Sequence, residues 1–204
     1  RGMGAARRVR KIEGPRGPHG LLTRGWQMGE ASDPRHAPLA AETLCGAFQV
    51  AVVERPHQEA HRAFGGGPGF TYAECAARVR RLAEGLHSLG VRRGDTVGEM
   101  LANRPEFNLV DVAALHLGAT GFSIYNPLSP EQIEHLLRNS GTRVVVTEQQ
   151  FLPRVLEART PDIEHVVVVD AVGHGLLTLD DLERSHVRGF DFEAAWRAVE
   201  PDDV

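Results

Sequence analysis

Lysine is nearly absent from this 204-residue chain. Lys11 is the only one, and it lies in a leader rich in Gly, Pro and Arg. The remainder has no lysine to neutralise a nucleotide phosphate, form a Schiff base or assist an adenylation. Cysteine is almost as scarce. Cys45 and Cys75 make neither a disulfide framework nor a metal-ligand spacing, and they fit a reducing cytoplasm. No run of 18 apolar residues occurs, so no transmembrane helix is expected. The N-terminus is basic but lacks the apolar segment of a secretory signal.

What is present reads as one globular domain behind a tail. Residues 1–36 carry eight basic and three acidic residues, whereas 37–204 carry 15 basic and 24 acidic. The leader RGMGAARRVRKIEGPRGPHG has the charge to touch nucleic acid or the surface of an anionic membrane. Its lack of periodicity reads instead as a disordered tail over residues 1–40. The acidic body argues against a nucleic-acid-binding domain.

From Glu42 the pattern becomes regular. ETLCGAFQVAVVERP places Leu44, Phe48, Ala51 and Val52 at helical spacing, with Pro56 as the stop. EAHRAF is a short strand, and GGGPG, Gly65 to Gly69, is a turn. Thr71 and Glu74 form a capping box, and Ser129 with Gln132 a second, because each hydroxyl and each longer side chain satisfies a free amide of the first turn. Ala76, Val79, Leu82, Ala83, Leu86 and Leu89 line one helical face, closed by Gly90. TVGEMLA, ATGFSIYN, RVVVT and HVVVVD are strands. Helices carrying Phe107, Val110, Ala114 and Leu117, and then Ile133, Leu136 and Leu137, lie between them, and EQQFLPRVLEAR is a further helix. GLLTLDDLE reads as a small strand and turn, and DFEAAWRAV as a last short helix. Strand–helix alternation predicts an α/β fold: a doubly wound parallel sheet with helices on both faces.

Several motifs in this order carry a resemblance. FTYAE, LGVRRGDTV, LANRPEF and ALHLGATGFSIYNPLSPEQIEHLLRNSGTRVVV resemble the N-terminal part of the adenylate-forming (AMP-binding) enzymes, of the long-chain fatty acyl-CoA synthetase type. The resemblance runs from about Glu42 to Val204, so residues 42–204 are expected to be the N-terminal portion of such a domain. It implies activation of a fatty acid through an acyl-adenylate to acyl-CoA, with ATP, Mg2+ and coenzyme A as cofactors of the full-length enzyme. SIYNPLS implies a fatty-acid activator rather than an amino-acid adenylating domain. In that family the phosphate-binding loop, ending near Pro-Lys-Gly, follows the point where EPDDV stands here. The catalytic, cofactor-binding and metal residues of the family therefore map to no residue of this chain. The expectation is a fragment with no cofactor and no ligase activity of its own, and whether the chain is an enzyme is left open. Two other readings stand beside it: a non-catalytic interaction module pairing with a complete synthetase, or an unrelated doubly wound nucleotide-binding domain. An unfinished sheet would also favour self-association.

GGGPG precedes a helix, but Pro68 removes an amide and no strong strand leads in, so a plain turn is expected rather than a phosphate cradle. His57 and His61 are spaced like two ligands on one helix, but no third ligand is evident, and surface histidines are the better reading. Cys75 reads as a small core residue rather than a nucleophile. Glu106 suits the dipole of a first helical turn. Glu99 falls in a strand expected to be buried, where an unpaired carboxylate is costly. Whether it faces the sheet's edge or meets an arginine is open, as is any pairing with Asp111. Asp180, Asp181 and Glu183 read as solvated.

Overall fold

The computed structural model describes residues 38, 40–63, 65, 67, 69–171 and 175–203. The tail expected over residues 1–40 lies almost wholly outside the described residues.

Among the described residues seven strands and seven helices follow one another: α1 (Leu44–Glu54), β1 (Glu59–Arg62), β2 (Gly69–Thr71), α2 (Tyr72–Ser88), β3 (Thr96–Met100), α3 (Pro105–Leu115), β4 (Thr120–Ser123), α4 (Pro130–Ser140), β5 (Val144–Thr147), α5 (Leu152–Glu157), β6 (His165–Val168), β7 (Leu177–Thr178), α6 (Leu179–Arg184) and α7 (Phe192–Arg197). β1 and β2 form an antiparallel hairpin. The other five make one sheet in the order β4-β3-β5-β6-β7, and every pairing in it is parallel. β5 is buried at all four positions, which is why it reads Val-Val-Val-Thr without alternation.

Helices cover both faces, as the alternation predicts. On one face α2, α3 and α6 pack over Val97, Val144, Val146 and Val167. On the other, Ile133 and Leu137 of α4 and Val155 of α5 pack over Met100, Val145 and Ile124. Both expected capping boxes are formed: Thr71 Oγ1 accepts from the Glu74 amide, and Ser129 Oγ from that of Gln132. Gly90 and Gly118 end α2 and α3 with φ of 89° and 68°, in the left-handed region that glycine enters at little cost. Gly85 permits the closest helix contact. A Cβ there would come to 2.5 Å from the carbonyl oxygen of Leu182, so α6 lies directly on the α2 backbone.

Three expectations need correction. Leu44 is 66% exposed, and Cys45 takes the inward position of the first turn of α1, because the helix begins after Thr43. LTLDDLE is not a strand and turn but a two-residue strand followed by helix α6, opened by a third capping box between Thr178 and Asp181. Glu183 is not solvated: it accepts hydrogen bonds from Arg78 at 2.6 Å and Arg81 at 2.8 Å with its side chain only 13% exposed. Asp180 and Asp181 keep side chains 79% and 42% exposed, as expected.

Candidate functional site

Open parallel sheets bind ligands at the carboxyl ends of their strands, above all where the winding reverses. Here it reverses between β3 and β5, whose following helices lie on opposite faces. That crevice is filled by the chain itself. Glu148, 5% exposed, accepts from the backbone amide of Ala102 and from Gln150 Nε2 at 2.8 Å. Arg104 lies 3.6 Å from Glu148 and 3.8 Å from Asp170, and Asp170 accepts from the Gln149 amide at 2.7 Å. Sequence reasoning missed Glu148, since the Ala102 amide it accepts from lies 46 residues away in sequence.

The open space lies one strand over. A cleft of about 1140 Å³ is bounded by the ends of β3 and β4, the first turn of α3, and the hairpin strand β1. Leu101, Phe107, Ile124 and Tyr125 give it apolar walls, and Asn103, Asn108 and Asn126 supply amides. His61 and Arg62 reach it from β1, and burial holds the His61 imidazole below its ordinary pKa.

Glu99 sits at its floor. The side chain is turned to the α3 side of the sheet, 1% exposed, and neither oxygen has a hydrogen-bond partner among the described residues. It meets neither the sheet's edge nor an arginine. It shares with Asp111 the space above Gly121: a Cβ on that glycine would lie 2.8 Å from Glu99 Oε1 and collide with Asp111 Oδ1. Burial first, and the Asp111 charge second, push the Glu99 carboxyl up to about 9, so it is neutral at pH 7. Burial also raises Asp111. Asn126 Oδ1 is a second buried acceptor without a partner among the described residues.

The remaining candidates fall elsewhere. Glu106 lies in the first turn of α3 and accepts from Arg104 Nε at 2.8 Å, a structural role. Cys75 is fully buried in the α2 core, and burial pushes its thiol up, opposite to what a nucleophile needs. His57 lies exposed in a turn and His61 in a strand, so their spacing does not mark one helical face. Among the described residues no group of three or more His, Cys, Asp or Glu side chains could hold a metal ion. The glycine-rich segment joins the antiparallel strands β1 and β2 instead of leading from a sheet strand into a helix, although Phe64, Gly66 and Pro68 lie outside the described residues. The described residues therefore do not fit the phosphates of ATP: none of them is a lysine, and Arg62 and Arg104 are already paired with Glu59 and Glu106.

Comparison with known proteins places this geometry. The family model of the AMP-binding enzymes matches residues 48–204. An uncharacterized protein of Mycobacterium tuberculosis is 52% identical over 128 residues, 63% of this chain and 73% of that protein. 4-Coumarate–CoA ligase 1 of Solanum tuberosum is 31% identical over 136 residues, 66% of this chain and 24% of the ligase. The crystal structure of the anthranilate CoA ligase AuaEII in complex with anthranoyl-AMP matches with a TM-score of 0.63 at 26% identity, covering 67% of this chain and 27% of that one. The chain thus spans about a quarter of each of these two ligases. With its parallel sheet, helices on both faces and ordered motifs, it belongs to the AMP-binding enzyme family and has the fold of the N-terminal subdomain of the adenylate-forming acyl-CoA ligases.

Proposed function

We propose that this chain is the N-terminal portion of an ATP-dependent acid–CoA ligase of the long-chain fatty acyl type, and that alone it carries no ligase activity. Family membership supports the reaction class, and the SIYNPLS segment favours a fatty acid as the acid. The observation that carries the second half is the absence, among the described residues, of a donor set fit for phosphates. Nucleotidyl transfer needs clustered amides and cations where charge develops. Lys11, the only lysine, is remote in sequence from every strand end. ATP, Mg2+ and coenzyme A belong in this reading to the complete enzyme, which acts in the cytoplasm. No described helix is long and apolar enough to cross a membrane.

Pyrophosphate release by the purified chain, with ATP, magnesium, coenzyme A and a panel of fatty acids and 4-coumarate, tests this. The expected result is no turnover above background. Robust turnover would overturn the claim of inactivity, and turnover with 4-coumarate but not fatty acids would also overturn the substrate class.

A second reading has one observation in its favour. β4 is an edge strand, exposed at Ser123 and bordered by the cleft, and such an edge invites pairing with another chain. On this reading the chain is a non-catalytic module that binds a complete synthetase or itself. Light scattering and a pull-down against a full-length synthetase separate the two. A monomer that captures no synthetase removes the second.

A further inference from the structure

We propose that the floor of the cleft between β3, β4 and α3 binds a small organic cation bearing N–H donors, an ammonium or amidinium on a short apolar body, with Glu99 and Asp111 as its counter-ions.

The cleft holds unmet acceptors. A buried carboxyl group ordinarily has its oxygens satisfied, and leaving them bare costs stability. Glu99 keeps both oxygens without a protein partner at 1% exposure, and it does so on the wall of a large cleft. Asn126 Oδ1, on the same wall, is a second such acceptor. Both await a donor. Gly121 has no side chain, and the Glu99 and Asp111 carboxyl groups converge on the space its Cβ would take, which brings Asp111 beside the cleft-lining Glu99.

The charge balance decides the sign of the ligand. The other charged groups around the cleft are already matched: Arg62 with Glu59, and Arg104 with Glu106, Glu148 and Asp170. His61 is held towards its neutral form. The amino end of α3, which would otherwise attract an anion, carries Glu106 in its first turn. What remains unmatched is acidic. A metal ion would need more ligands than two carboxyl groups supply, and no third acid, histidine or cysteine joins them among the described residues. The walls suit a cation with an organic body, since Phe107 and Tyr125 offer aromatic rings and Ile124 an aliphatic surface.

Binding has a defined proton balance. Near neutral pH Glu99 holds its proton, so taking up a cation as a carboxylate releases one proton to solvent. Apparent affinity then rises by about tenfold per pH unit while Glu99 is protonated in the free protein. Asp111 on α3, His61 and Arg62 on β1, and Arg104 before α3 are the other charged or titratable groups near this floor. His61 is the one imidazole among these, which makes His61→Gln the control.

The test is a titration of the isotope-labelled full chain followed at the amides of Glu99, Gly121 and Ser123. Benzamidine and n-butylammonium are the cationic probes, benzoate the anionic one and n-butanol the neutral one. The expected result is saturable shifts with both cations only, an affinity that climbs between about pH 6 and 8, and the same climb in His61→Gln. Glu99→Gln should lose the pH dependence and bind at least about tenfold more weakly at pH 8, with Asp111→Asn weakened to a similar extent. The unchanged remainder of each variant's spectrum reports that it is folded. Saturation by benzoate at the same amides, equal binding by Glu99→Gln, or no saturable shift with either cation would each overturn the proposal.

Discussion

The imidazole of His116 lies flat against the ring of Phe192, their centroids 5.2 Å apart and their planes 10° from parallel. This contact joins the end of α3 to α7, and α1 closes over it: Phe48 meets the imidazole edge-on at 5.5 Å, and Gln49 Nε2 is 3.0 Å from His116 Nε2. Because the Val112 carbonyl can only accept, His116 Nδ1 must donate to it at 2.7 Å. That leaves Nε2 to accept from Gln49, and the neutral ring is fully satisfied.

The first prediction follows from that ring. Burial lowers the His116 pKa to about 4, against the opposing pulls of Val112 and Glu193. The unfolded chain takes up its proton near 6.5, so between those values the unfolded state binds more protons than the folded one. The His116 contribution is therefore present above pH 6.5 and lost as pH falls towards 4, by about 3 kcal/mol. Urea unfolding of His116→Gln across this range should show a flatter profile than the parent. An unchanged slope would contradict the assignment.

Glu99 has the opposite sign. Its folded pKa, about 9, stands above the unfolded value of 4.5, so its contribution is fully present below pH 4.5 and declines as pH rises towards 9. The penalty at pH 7 is on the order of 3 kcal/mol. Glu99→Gln should raise the midpoint of thermal unfolding at pH 8 and leave it nearly unchanged at pH 4.5. A variant less stable than the parent at pH 8 would show that the carboxylate is satisfied.

Gly85→Ala tests the contact of α2 with α6. The added methyl would strike the Leu182 backbone, which cannot rotate away as a side chain can. The expected loss is about 1–3 kcal/mol in chemical denaturation, despite the better helix propensity of alanine. A stabilised variant would mean that α6 yields freely.

The Glu183 network gives a graded series. Arg78 is 19% exposed and Arg81 46%, and both donate to the same carboxylate. Glu183→Ala leaves Arg78 without its partner in a half-dry site and should cost about 2 kcal/mol. Arg81→Ala removes a solvent-screened pair and should change stability by less than about 1 kcal/mol. Equal losses from the two variants would refute the ranking.

Periodicity and end signals made most of the fold legible. Val79, Leu82, Ala83 and Leu86 repeat on one face of α2 and are all buried there, and two capping boxes placed the starts of α2 and α4 to the residue. α6 escaped because it buries only Leu179 and Leu182, too few apolar positions to show a period, although Thr178 and Asp181 follow the same local rule as the other caps. The site was less legible. Strand alternation puts Glu99 on the face of Val97, but it cannot show that Asp111 and a bare Gly121 stand opposite. Nothing in ALHLGA marks His116 as the ring on which three helices close, because Gln49 and Phe192 lie far away in sequence.

The placement of β4 has a consequence for how the chain folds. β4 stands between β3 and β5 in sequence but outside them in the sheet, and the Thr147 hydroxyl reaches the Met100 carbonyl across 47 residues at 3.1 Å. The β3–β5 ladder can close only after the segment carrying α3, β4 and α4 has been looped aside. Such closure is entropically costly and slow compared with helix formation. The three capping boxes are purely local and form without waiting for it. The chain is thus built to start its helices from local contacts and to close its central strand pair from distant ones.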